Sequence, residues 1–159
     1  MIKLNGIDNR GYYYIYKTTT IFIMSLLYIM VGIKHFTDPN FFIHIVPDYL
    51  SWKYEAVYIS GLIEIILGVL LIFKKSRKLA SYGLILLLVA VFPANIYLYE
   101  SEIAQQSLNI SKNQALIRMP FQIPLILIAF WHSKEQYSNN ISIISAILFV
   151  PTIIYFSTL

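Results

Sequence analysis

The stretch Tyr54-Glu-Ala-Val-Tyr-Ile-Ser-Gly-Leu-Ile-Glu-Ile-Ile-Leu-Gly-Val-Leu-Leu-Ile-Phe73, with Lys74-Lys-Ser-Arg-Lys78 directly behind it, decides the fold. It is about as long as the ~20 apolar residues a helix needs to cross a hydrocarbon core. It ends on four positive charges within five residues. Working outward, four more apolar runs flank it: Thr18–Phe36, Leu79–Tyr99, Arg118–Trp131 and Ile141–Leu159. The run that begins at Arg118 is short. It reaches spanning length if the guanidinium snorkels outward and the helix continues to Lys134. Lipid-exposed backbone must satisfy its own hydrogen bonds, so these runs are expected to be helices. None shows the alternating pattern of an outer-membrane barrel.

Composition agrees. Of 159 residues, 58% are hydrophobic and 13% charged, and the mean hydropathy is +0.66. Soluble domains run at about 45–50% apolar and about 25% charged. This excludes disorder, a disulfide scaffold and an ordinary cytosolic enzyme. The chain has no cysteine, which excludes thiol–disulfide chemistry, thiolate metal sites and iron–sulfur clusters. The net charge of +4 does not point to nucleic acid, because the basic residues sit in short connections between apolar runs.

The expected architecture is an all-α integral membrane helical bundle. Residues 1–17 form a cytoplasmic N-terminal segment, residues 18–134 a four-helix transmembrane core, and residues 141–159 a fifth, C-terminal transmembrane helix. The first run resembles a signal sequence but is long, lacks a small-x-small cleavage site and ends on Lys34-His35, so it reads as an uncleaved helix. By the positive-inside rule, Lys74–Lys78 faces the cytoplasm. Lys3, Arg10, Lys17 and Lys134 then fall on the same side, and Lys34, Lys53, Lys112 and Arg118 on the other. Five crossings put the C-terminus outside.

The polar minority carries the functional leads. Glu64 lies ten residues past Tyr54, about 15 Å down a helix and near mid-membrane. Gly61, Glu64 and Gly68 share one helix face, so the carboxylate is expected to point into the bundle against another helix. It is either a proton-handling or ligand-binding group, or a hydrogen-bonding device that fixes packing. His35, Asn95 beyond the helix-bending Pro93, Arg118 and Gln122 map to the same outer half. Arg118 is placed either to pair with Glu64 or to anchor a helix end. Phe41, Phe42, Tyr49 and Trp52 belong to an aromatic connection suited to the membrane surface. His132, beside Trp131, reads as an interfacial residue. Residues 100–117 read as a polar loop. No nucleophile–base pair, phosphate loop or metal-ligand spacing is present, so no catalytic or metal residue is assigned.

Several pieces taken in order resemble the DoxX family of small bacterial membrane proteins. They are Gly32-Ile-Lys-His35, Asp38-Pro-Asn-Phe-Phe42, Val46-Pro-Asp-Tyr-Leu50, Ser60-Gly-Leu-Ile-Glu64 with Gly68, Arg77 with Ala80, Phe92-Pro-Ala-Asn-Ile-Tyr97, and Arg118-Met-Pro-Phe-Gln122. The resemblance implies a four-helix core in the bacterial inner membrane. It also implies an accessory, quinone-linked membrane subunit without autonomous catalysis, quinone being the one cofactor in view, with a partner subunit or a second copy in the bilayer. The residues themselves leave two other readings open. One is a small-molecule or lipid binder, or a transporter, with a polar pocket around Glu64. The other is a structural protein in which Glu64, Asn95 and Gln122 fix helix packing.

Overall fold

The structure, a computed structural model, describes residues 9–135 and 139–157. Its regular elements are all helical: α1 (Asn9–Thr37), α2 (Pro39–Ile43), α3 (Lys53–Ile72), α4 (Lys74–Glu100), α5 (Glu102–Ser107), α6 (Lys112–Ser133) and α7 (Asn139–Ser157). Helices α1, α3, α4 and α6 are each long and apolar enough to cross a membrane. The apolar stretch of α7, Asn140–Tyr155, is shorter. Only 22% of the apolar window of α3 is buried inside the bundle. Its remaining apolar side chains face outward, as a bilayer requires.

Helix ends differ from the sequence expectation for identifiable reasons. Helix α1 begins at Asn9, so Arg10 and Lys17 lie inside it rather than in a separate N-terminal segment. Lys3 and residues 158–159 of the last run fall outside the described residues. The basic stretch Lys74–Lys78 is the first turn of α4, not a loop, and Phe73 alone separates α3 from α4. Ser76 Oγ donates to the Leu70 carbonyl at 2.8 Å. The Arg77 guanidinium donates to the Leu71 and Ile72 carbonyls at 3.1 and 3.0 Å. The start of α4 thus satisfies the carbonyls that the end of α3 leaves open.

Residues 100–117, expected as a loop, are mostly helix. Ser111 and Gln114 form a reciprocal capping box at the start of α6, which adds two turns ahead of Arg118. The buried Gln105 side chain donates to the Leu98 and Tyr99 carbonyls at 3.0 and 2.8 Å, closing the end of α4. Gln105→Ala leaves both carbonyls without that donor. It is expected to cost about 1–3 kcal/mol, read as a lower thermal unfolding midpoint in detergent. An unchanged midpoint would contradict the capping role.

Helix α1 packs on α3 and α4 on α6; α3 and α4 join the two pairs, and α7 lies along α6. Ile21, Met24 and Tyr28 of α1, Leu71 of α3, Leu84 and Leu88 of α4, Leu125 and Ile128 of α6, and Phe149 of α7 share one core. A smaller cluster of Leu98, Ala104 and Ala115 sits under α5.

Candidate intramembrane carboxylate site

Tyr28, Gly32 and His35 recur on one face of α1 at helical spacing, and that face meets Gly61, Glu64 and Gly68 of α3. The glycines bring the two backbones together. A Cβ on Gly32 would lie 2.6 Å from the Gly61 carbonyl oxygen, and one on Gly61 would lie 2.5 Å from His35 Cβ. Ser25 Oγ donates to the Gly68 carbonyl at 2.6 Å, a polar bond between helices of the kind that holds membrane bundles together.

The helices run antiparallel, and helical side chains lean toward their own N-terminus. Glu64 therefore leans toward the bundle end that holds His35, and His35 leans back. Their Nδ1 and Oε2 atoms lie 3.3 Å apart, with side chains 8% and 14% exposed. His35 Nδ1 is also 2.9 Å from the Val31 carbonyl. A carbonyl only accepts, so Nδ1 carries a hydrogen and commits it to Val31. The neighbouring Glu64 Oε2 is buried and receives no hydrogen bond. The Tyr28 hydroxyl, on the same face of α1, is equally buried and unpartnered. Phe42 of α2 stacks on the imidazole at 3.6 Å. The result is a carboxylate oxygen without a donor beside an imidazole, beneath an aromatic lid, with a buried phenol on the same face of α1.

The loop after α2 is tethered at Asp48. Its carboxylate accepts from Lys53 Nζ at 2.6 Å and from the Tyr97 hydroxyl at 2.9 Å. Those hydrogen bonds, Lys53's first, hold the Asp48 carboxyl below the usual carboxylate range. The tether is intact above the ordinary aspartate value of about 3.9, and it weakens as pH falls through the lower folded value. Amide exchange in residues 44–52 is expected to accelerate over that acid range, and Asp48→Asn should show the faster exchange already at neutral pH.

The other expected site residues do not join His35 and Glu64. Gln122 Nε2 donates to the Leu88 carbonyl at 2.9 Å in a buried bond that ties α6 to α4. Arg118 is half-buried and interacts with Tyr155 of α7, whose ring stacks on Phe121 at 4.0 Å. Among the described residues the close contacts between acidic and basic side chains are His35–Glu64 and Lys53–Asp48. An Arg118–Glu64 pair is not formed, because α6 packs on α4 and α7 rather than against the Glu64 face. Asn95 is half-buried on α4. Phe41 lies edge-on to Phe42 at 5.1 Å, whereas Tyr49 and Trp52 are 78% and 50% exposed.

His132 departs from its expected place in an interfacial belt. It is 2% exposed, with Nε2 3.0 Å from Thr20 Oγ1. Thr20 donates its own hydrogen to the Lys17 carbonyl, so Nε2 donates to Thr20 and Nδ1 is left unpartnered. Packing of α1 on the end of α6 draws the ring inward. Tyr28 and Val31 were not legible as site members, although Tyr28, Gly32 and His35 share a readable spacing.

Residues 24–133 match a family described as Domain of unknown function (DUF8561). The chain belongs to the DUF8561 family. The matched segment contains Tyr28, His35 and Glu64 and stops before α7. No curated protein and no solved structure matches the chain. The family match overturns the DoxX resemblance. Its pieces were short combinations rich in proline, glycine and aromatic residues, of a kind that helix packing and membrane interfaces favour in small helical bundles generally.

Proposed function

We propose that this DUF8561 protein binds a small organic cation bearing an N–H donor at Glu64, in exchange for a proton. The observation that carries the reading is the buried Glu64 oxygen left without a hydrogen bond because His35 donates to Val31 instead. Beyond its Nδ1 hydrogen, the His35–Glu64 pair is neutral when it holds one further proton. Loss of that proton leaves a buried negative charge, which is costly in an apolar bundle unless a cation replaces it. An ammonium group supplies both the charge and a donor for Oε2. Entry requires α2 to lift, and no residue of α2 is fully buried. The quinone-linked accessory role rested on the DoxX resemblance and loses its support with it.

The basic ends of the helices support a cytoplasmic placement by the positive-inside rule, with the Glu64 site in the opposite half. Helix α7, 19 residues and so roughly 28 Å long, runs from beside Tyr13 to beside Phe121. This supports a fifth crossing and an external C-terminus.

Calorimetry with phenethylammonium, run in buffers of differing ionisation enthalpy, tests the function. The reading expects close to one proton released per cation bound, with affinity falling as pH falls. Binding without proton release, or no binding at any pH, would contradict it.

A further inference from the structure

At the bundle end opposite Glu64, a cleft of about 370 Å³ opens between α6 and α7, lined by Phe130, Trp131, Lys134, Ile141 and Ser142. Three of the five lining residues are apolar; the polar ones are a cation and a hydroxyl. Trp131 Nε1 donates to the Tyr13 hydroxyl at 2.6 Å, and Tyr13 donates to Ser142 Oγ at 2.8 Å. Ser142 thus accepts from Tyr13 and keeps its own hydrogen to give. Lys134 Nζ lies 4.5 Å over the Phe130 ring, at the mouth of the cleft. Lys17 Nζ donates to the Lys134 carbonyl at 2.5 Å and sits 5.4 Å from the Trp131 ring.

Among the described residues, basic side chains outnumber acidic ones around the cleft. Arg77 shares the first turn of α4 with Lys74, Lys75 and Lys78. The one acidic residue among the described residues near this end is the exposed Glu135, next to Lys134. Like charges gathered at one end of a bundle attract an anion. The apolar lining selects one that brings hydrocarbon with it, and basic clefts between helices at the membrane surface suit lipid headgroups.

We infer that the α6–α7 cleft is a binding site for an anionic phospholipid. Its phosphate meets Lys134 and the Ser142 hydroxyl, and its acyl chain lies against Phe130, Trp131 and Ile141. This inference is independent of any role for Glu64.

Trp131 reports on its own cleft. The chain has two tryptophans, and the other, Trp52, is exposed beyond the opposite end of α3. In a Trp52→Phe background, the full chain is reconstituted in phosphatidylcholine vesicles holding a small fraction of brominated lipid. Brominated phosphatidylglycerol is expected to quench Trp131 at about one-fifth the mole fraction that brominated phosphatidylcholine requires, the factor one lysine contributes at an anionic surface. Lys134→Gln should abolish that preference while leaving quenching by the neutral lipid intact, and Ser142→Ala should reduce it. Equal quenching by both lipids in the Trp52→Phe protein would overturn the inference. So would loss of the preference on adding inorganic phosphate alone, which would make this a site for a free anion.

Discussion

Gly61→Ala is expected to destabilise the purified protein by about 1–3 kcal/mol, the usual cost of overpacking a close contact, whereas Gly83→Ala is expected to be nearly neutral. The difference lies in what each new methyl group meets. At Gly61 it would press on His35 Cβ at 2.5 Å and on the Gly32 carbonyl oxygen at 2.9 Å. Neither can move unless α1 and α3 separate. At Gly83 it would meet the end of the Leu67 side chain, 2.6 Å from Cδ2, and a leucine can change rotamer. Unfolding midpoints in a denaturing-detergent titration measure both variants. Equal midpoints for Gly61→Ala and Gly83→Ala would mean that α1 and α3 are not in backbone contact, and the geometry of the His35–Glu64 pair would fall with it.

Glu64→Gln is expected to weaken phenethylammonium binding by about 10–100-fold, the loss of one charge-assisted hydrogen bond at about 1.5–3 kcal/mol. It is also expected to abolish the accompanying proton release, with the fold retained. Glutamine keeps the volume and removes the charge and the exchangeable proton. Glu64→Leu separates function from packing. Removing one partner of a buried pair is costly when it strands a charge, but here it leaves a neutral His35 whose Nδ1 hydrogen is already given to Val31, so this variant should unfold no more easily than the native chain yet bind nothing. If Glu64→Leu is instead strongly destabilised and Glu64→Gln binds normally, Glu64 serves to hold α1 against α3. His35→Asn should leave binding measurable but shift its pH dependence, because the pair no longer shares its proton with an imidazole.

The four long apolar helices were legible because length and hydropathy set them, whereas the run expected as a fifth crossing forms a helix with a shorter apolar stretch. The helix ends were less legible. The basic stretch Lys74–Lys78 reads as a loop on charge alone, and only the carbonyls at the end of α3 explain why Ser76 and Arg77 make it a helical turn. Ser111-Lys-Asn-Gln114 carried a readable capping signal, and Ser101 ahead of α5 a weaker one. The site was half legible. Glu64 stood out as an acid at depth, and His35 lay in the same half. Depth alone, however, grouped them with Arg118 and Gln122, and helix neighbours, which periodicity does not supply, separated the two sets. His132 shows the same limit, since its burial follows from α1 crossing the end of α6.

The most direct test of the Glu64 site is infrared difference spectroscopy of the reconstituted protein, with and without phenethylammonium. The expected result is loss of a protonated-carboxyl carbonyl band on binding, absent in Glu64→Gln. A difference spectrum with no carboxyl band, or one that persists unchanged in Glu64→Gln, would contradict proton-for-cation exchange at Glu64.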